Sequence, residues 1–173
     1  MNKLMKLLVF TAVIGGALIV VLKATNNYIV LDLSQAHEIE RFAPALGDTV
    51  RPLSSFDFSK DVWKSVVVVA LSDVADLPPS LKSARCVFTE DPNILKKMQE
   101  NWKFIYAGGD MATVESKFYL YKNATLVFKC GIVLDAEGQG LQSSDFGWLA
   151  AKNNEVISAV MQFNNVKCPI IFL

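Results

Sequence analysis

The stretch from residue 7 to residue 22 (LLVFTAVIGGALIVVL) is predominantly apolar and carries no charge, and the pattern changes at Lys23. Sixteen such residues, at ~1.5 Å rise each, reach ~24 Å in a helix, slightly short of a ~30 Å hydrocarbon core. Lys6 and Lys23 bracket the run, and long side chains there can carry their ammonium groups to the two interfaces. Gly15 and Gly16 in the middle are tolerated in lipid, where no water competes for the helix backbone. The pattern predicts a transmembrane signal anchor over residues 7–23, with residues 1–6 cytoplasmic and residues 24–173 forming an extracytoplasmic domain. A cleaved signal peptide is the alternative, since it shares the basic start and the apolar run. Cleavage needs small residues at −3 and −1, and Leu22-Lys23-Ala24 places leucine at −3. Lys3, Lys6 and the α-amino group precede the span and Lys23 alone directly follows it. The positive-inside rule therefore favours a cytoplasmic N-terminus.

Beyond Lys23 the pattern becomes that of a globular domain. Residues 28–33 (YIVLDL) and 66–71 (VVVVAL) read as strands, the second apolar at every position as if covered on both faces. Ser34 is placed to cap a helix over 35–43. Residues 44–61 mix Pro44, Gly47 and Pro52 without a period and predict a loop with a short edge strand. Cys86-Val87-Phe88 reads as a buried strand. Asp91 followed by Pro92 starts a helix to about Trp102, burying Ile94, Leu95, Met98 and Trp102. Residues 104–106 form a short strand, and residues 117–121 and 125–134 an antiparallel pair around Lys122-Asn123-Ala124. Asp145 is placed to cap a last helix over 146–162, with Phe146, Leu149, Ala150, Ile157, Val160 and Met161 at helical spacing. Pro169 ends any helix, so Ile170 to Leu173 predict an extended apolar tail that pairs with a sheet edge or docks on another chain.

This order predicts an α/β fold, a three-layer α/β/α sandwich behind one N-terminal transmembrane helix. The stretch from Lys117 to Gly138 (KFYLYKNATLVFKCGIVLDAEG), with the helix after it, resembles the closing hairpin and last helix of the thioredoxin-like superfamily. The resemblance covers roughly residues 60–162 and rests on layout. In that family a Cys-x-x-Cys pair follows the central strand and a cis-proline precedes the hairpin. Here Ser72-Asp73-Val74-Ala75-Asp76 follows VVVVAL, and Val114-Glu115-Ser116 precedes Lys117. The resemblance therefore implies the fold without its thiol–disulfide chemistry, which needs a low-pKa thiolate and a resolving partner.

Charge and composition narrow the function classes. The chain has 173 residues, with 17 Lys and Arg against 17 Asp and Glu, which argues against nucleic acid as partner. Without residues 1–23 the domain carries 14 basic and 17 acidic groups, so nothing electrostatic draws it to an anionic membrane surface. Cys86, Cys130 and Cys168 lack metal-ligand spacing, and with His37 the sole histidine a zinc site is not expected. Cys86 and Cys130 fall in apolar strands and read as buried, inert thiols. One disulfide among the three cysteines, or one reactive thiol, is the alternative. His37 reads as a solvated helix residue. Asp57, Asp61, Asp73 and Asp76 read as loop and capping aspartates, with cation binding or acid–base work as the rival role. Gly108-Gly109-Asp110 reads as a turn and less readily as an anion nest, and Asn123-Ala124-Thr125 is a glycosylation sequon in a hairpin turn.

No residue pattern implies a cofactor. The expected protein is a membrane-anchored thioredoxin-like domain without redox activity. It would bind or assemble a protein partner outside the cytoplasm, in the periplasm if the cell is bacterial. The rival is a membrane-tethered thiol–disulfide oxidoreductase accessory using a single cysteine.

Overall fold

A computed structural model describes residues 2–25, 29–31, 44–82, 85–109, 114–135, 138–166 and 170–172. The chain divides into two compact units, residues 1–33 with 167–173, and residues 34–166. The expected helix at 35–43, with His37, lies outside the described residues, as do Asp110 and Cys168.

In the first unit, α1 (Lys3–Ala24) has 22 residues and none of them is buried. It is longer than the charge-free run because the helix takes in the basic turn before it. At ~1.5 Å per residue it measures ~33 Å, enough to cross a ~30 Å hydrocarbon core. Its hydroxyl at Thr11 donates to the Leu7 carbonyl at 3.0 Å, so that polar group is satisfied within the helix. The short strand β1 (Ile29–Leu31) follows.

The second unit contains, in order, β2 (Thr49–Val50), β3 (Trp63–Val68), a 3₁₀ turn (Ser72–Asp76), α2 (Pro79–Lys82), β4 (Cys86–Thr89), α3 (Pro92–Asn101) and β5 (Phe104–Gly108). It continues with β6 (Lys117–Lys122), β7 (Thr125–Leu134), β8 (Gln139–Ser143), β9 (Gly147–Ala151), α4 (Glu155–Val160) and β10 (Asn164–Asn165). A last strand, β11 (Ile170–Phe172), belongs to the first unit and pairs parallel with β1, Ile29 opposite Ile170. The apolar tail thus finds an intramolecular partner, in a two-stranded sheet formed with the segment that follows α1.

The second unit is built on one nine-stranded sheet in the order β10-β4-β3-β6-β7-β8-β9-β5-β2. Every described pairing in it is antiparallel. This corrects the expectation of parallel strands joined by crossover helices in a three-layer α/β/α sandwich. The described fold is a mixture of a few short helices and one antiparallel sheet, with an N-terminal apolar helix. The reason lies in what an apolar run encodes. Val66 and Val67 point to opposite faces and are 2% and 0% exposed, so the strand is covered on both faces as read. Burial on both faces says nothing of strand direction, and both neighbours, β4 and β6, run against β3.

Several elements are where the local pattern puts them. Asp91 caps α3, its carboxylate accepting from the Asn93 backbone N–H at 2.8 Å. The β6–β7 hairpin turns at Asn123 and Ala124, which adopt φ of 50° and 64°. A two-residue hairpin of type I′ needs this left-handed region at both central residues, and alanine enters it at a steric cost. The edges β2 and β10 are only two residues long, which leaves little ladder for another chain to extend.

The expected helix over 146–162 is the second correction. Residues 147–151 form β9, hydrogen-bonded between β8 and β5, and only Glu155–Val160 is helical. Asp145 precedes a strand there, and its N–H donates to Ser143 Oγ in the β8–β9 turn. Gly147 at φ 73° starts the strand in a conformation foreign to a right-handed helix. A ladder on both sides outweighs the helical spacing of a few apolar side chains.

The side chain of Gln139 in β8, 6% exposed, organises α4. Its Oε1 accepts the Ile157 backbone N–H at 3.0 Å and its Nε2 donates to Asn154 Oδ1 at 2.9 Å. A distant side chain thus does the work of an N-cap, for which Asn154 supplies no side-chain bond of its own. Gln139→Ala is expected to cost ~1–3 kcal/mol by stranding a buried N–H, read as a lower urea midpoint with unchanged m-value.

The main core packs Trp63, Val67, Phe118, Phe128, Leu141 and Leu149 of the sheet against Leu95, Met98 and Trp102 of the α3 segment and Val156 and Val160 of α4. Edge-on aromatic contacts run through it, Trp102 to Phe104 at 6.0 Å and Phe118 to Phe128 at 6.0 Å between centroids.

Candidate functional site

The sheet separates the cysteines. Cys86 lies on β4 and Cys130 on β7, with β3 and β6 between them. Val87, Val67, Phe118 and Cys130 share one register row, and Cys86 lies one residue off it, on the opposite face. Three strand spacings of ~4.8 Å place the two cysteines ~14 Å apart, whereas a disulfide needs ~4.4–6.8 Å between Cα atoms. These two cysteines are therefore not a disulfide pair, and both are free and buried. Burial pushes the Cys86 thiol up to about 12 and raises that of Cys130 further still. At about 12, roughly one Cys86 in ten thousand is thiolate at pH 8. In a Cys168→Ser background, neither thiol is expected to react with a disulfide dye until denaturant is added. Rapid labelling of either one in the native protein would contradict this.

The loop aspartates are held in local structure. Asp73 accepts the hydroxyl of Ser116, whose Oγ in turn accepts the Ala70 backbone N–H at 2.9 Å. Ser116 is 1% exposed, so these bonds pin the 3₁₀ turn to the residue that leads into β6. Ser72 Oγ lies 2.8 Å from Asp73 and 2.9 Å from Glu115. The side chain of Asp76 is outside the described set.

Asp57 accepts both the hydroxyl and the backbone N–H of Ser59, which hold its carboxyl at about 2. Asp61 is also lowered, first by Lys122 at 2.8 Å and then by Asn123. Carboxyls depressed below their ordinary 3.8 stabilise the fold fully above about pH 4 and lose that contribution as pH falls toward 2. Asp57→Asn with Asp61→Asn is accordingly expected to make the loss of melting temperature between pH 4 and pH 2 shallower. An unchanged acid limb would contradict the assignment.

The sequon asparagine is likewise engaged. Asn123 Oδ1 accepts the Val62 N–H and its Nδ2 donates to Asp61, both at 3.0 Å, clamping the hairpin tip to the chain before β3. Gly108, at φ 103°, sits at an irregularity in the β5–β9 pairing, so this glycine serves the strand.

Between the α3 segment and α4 lies a cleft of about 200 Å³, with Ile94, Met98 and Ala159 giving an apolar wall and Lys97 and Glu155 charges of both signs. Trp102 also lines it and is 2% exposed, and its indole N–H has no hydrogen-bond partner among the described residues. Glu155 Oε1 accepts from Asn153, while its buried Oε2 has no such partner. Ile94, Met98 and Trp102 read from sequence as core alone. Glu155 lies within the helix expected over 146–162, and Lys97 has no sequence pattern that sets it apart from other surface lysines. No local signal joins residues 94–102 to residues 155–159, because only the packing of α3 on α4 does so.

Among the described residues no group of three or more His, Cys, Asp or Glu is placed to hold a metal ion. Comparison with protein-family models, with characterised proteins and with solved structures finds no match to this chain.

Proposed function

We propose that this chain is a single-pass membrane protein whose domain outside the cytoplasm binds or assembles a protein partner without thiol redox chemistry. The observation that carries the reading is α1: 22 residues with mean hydropathy 2.4 over its most apolar window and no part buried in the fold. Such a surface needs lipid to cover it. The excess of lysine before the span supports a cytoplasmic N-terminus. The burial of Cys86 and Cys130 and their raised thiol pKa values support a role other than electron exchange. In this reading the domain keeps a closing hairpin that resembles that of the thioredoxin-like superfamily and does without the Cys-x-x-Cys chemistry.

Alkaline carbonate extraction of membranes from cells expressing the full chain, with protease added to sealed vesicles, tests the proposal. The chain is expected in the pellet with residue 1 retained, and the domain protected in inverted vesicles but digested when the outer face is exposed. Release by carbonate, an N-terminus beyond residue 24, or the reverse protection pattern would overturn it.

A further inference from the structure

We propose that the β1–β11 pair is a second membrane contact, its face of Ile29, Leu31 and Ile170 seated among the upper acyl chains of the bilayer that α1 crosses. The inference rests on the membrane reading of α1 and extends it to β1 and β11, which belong to the same unit.

All six residues of the pair are apolar, Ile29-Val30-Leu31 on one strand and Ile170-Ile171-Phe172 on the other. The parallel register sets Ile170 beside Ile29 and Ile171 beside Val30. Side chains alternate across a strand, so Ile29, Leu31 and Ile170 share one face. That face is open, with Leu31 41% exposed and Ile29 and Ile170 half-buried. A sheet face that met only water would carry polar residues at these positions. A two-stranded sheet is also marginal in water by itself and needs a further apolar contact. Among the described residues no third strand joins the pair.

The chain path sets which contact is within reach. Crossing a ~30 Å core, the ~33 Å of α1 bring Ala24 to the boundary of the hydrocarbon. Ile29 follows five residues later, at most ~18 Å away in a fully extended chain. So short a tether holds the pair at high effective concentration over the headgroups, and a small apolar face suffices for docking. Tyr28, directly before β1 in the sequence, is of a residue type enriched at membrane–water interfaces. Water in that zone can pair with the backbone groups on the outer strand edges, as the hydrocarbon centre could not. The contact is therefore interfacial and shallow.

A protein partner fits this face less well. Three partly buried aliphatic side chains expose far less than the ~1,000 Å² that a specific protein interface needs, whereas lipid requires no matching shape. Docking here would join the unit of residues 34–166 to the bilayer at both of its chain ends.

The test uses the full, unsubstituted chain in phosphatidylcholine vesicles containing a phosphatidylcholine with a diazirine on its upper acyl chain. After irradiation, adducts mapped by mass spectrometry are expected on α1 and on both strands of the pair. Depth is read with a nitrobenzoxadiazole label on Leu31→Cys or Ile170→Cys in a Cys168→Ser background, where Cys86 and Cys130 are buried. Lipid carrying a doxyl group at carbon five should quench either label at least twofold more than lipid carrying it at carbon twelve. A label on Ile14→Cys, in the middle of α1, should show the reverse order. Adducts and quenching on α1 with none on the pair would overturn the proposal and leave the membrane reading standing. An unmarked α1 would overturn the membrane reading, and this one with it. Blue-shifted emission at Leu31→Cys without doxyl quenching would show protein on the face and would also overturn it.

Discussion

Gly147→Ala is expected to destabilise the domain by about 3 kcal/mol or more, from ~1–2 kcal/mol of left-handed strain plus ~1–3 kcal/mol of overpacking. Gly147 holds φ at 73°, and a Cβ built there would stand 2.3 Å from the backbone oxygen of Gly108. A side chain could swing aside, but this obstacle is main chain, at the point where β9 meets both β5 and β8. Relief would require shifting the ladder on one side or the other. At ~2–4 °C per kcal/mol for a domain of this size, the melting temperature should fall by ~6–12 °C. Gly138→Ala is the control, since nothing lies within 4 Å of a Cβ there and its φ is not in the left-handed range. That variant should stay within ~0.5 kcal/mol of the parent. Equal thermal denaturation curves for the two variants would show that the β5–β9 approach is not as tight as described.

The second large effect concerns α1. Val13→Lys with Ala17→Lys places two charges near the middle of the helix, one turn apart on one face. Each lysine at the centre of a span costs ~2.5–3.5 kcal/mol on insertion scales, so the pair disfavours insertion by ~5–7 kcal/mol, more than a thousandfold. The doubly substituted chain should leave the carbonate pellet for the supernatant, and Val13→Leu with Ala17→Leu should remain with the parent. A pellet fraction unchanged by the two lysines would mean that lipid is not what covers the apolar surface of α1.

The elements legible in the sequence are those whose reasons are local. The apolar run of α1 needs only its own composition to be recognised. The start of α3 is written in Asp91 and Pro92, and the β6–β7 hairpin in two β-rich runs joined by a tight turn. The burial of Cys86 and Cys130 follows from the apolar residues beside them in their own strands. The strand β8 was missed because Gln139-Gly140-Leu141-Gln142-Ser143 has few strand-forming residues. What holds it is pairing with β7 and β9, together with a glycine at 140 that leaves room for the Trp148 ring.

Composition and local patterning determined the long apolar N-terminal helix, the hairpin, the capped helix, the buried character of two thiols and the absence of a Cys-x-x-Cys pair. Tertiary structure alone decided that β3 runs antiparallel to both neighbours, that residues 147–151 join the sheet where a helix was expected, and that Gln139 caps a helix eighteen residues away. It also decided that Lys97, Trp102 and Glu155 line one cleft. The physical reason is common to all four. A side chain's preference for burial or for a turn is settled by its nearest neighbours in the chain. Strand direction, ladder partners and convergent polar groups depend on hydrogen bonds and contacts between distant segments, whose gain appears only once the chain has closed those loops.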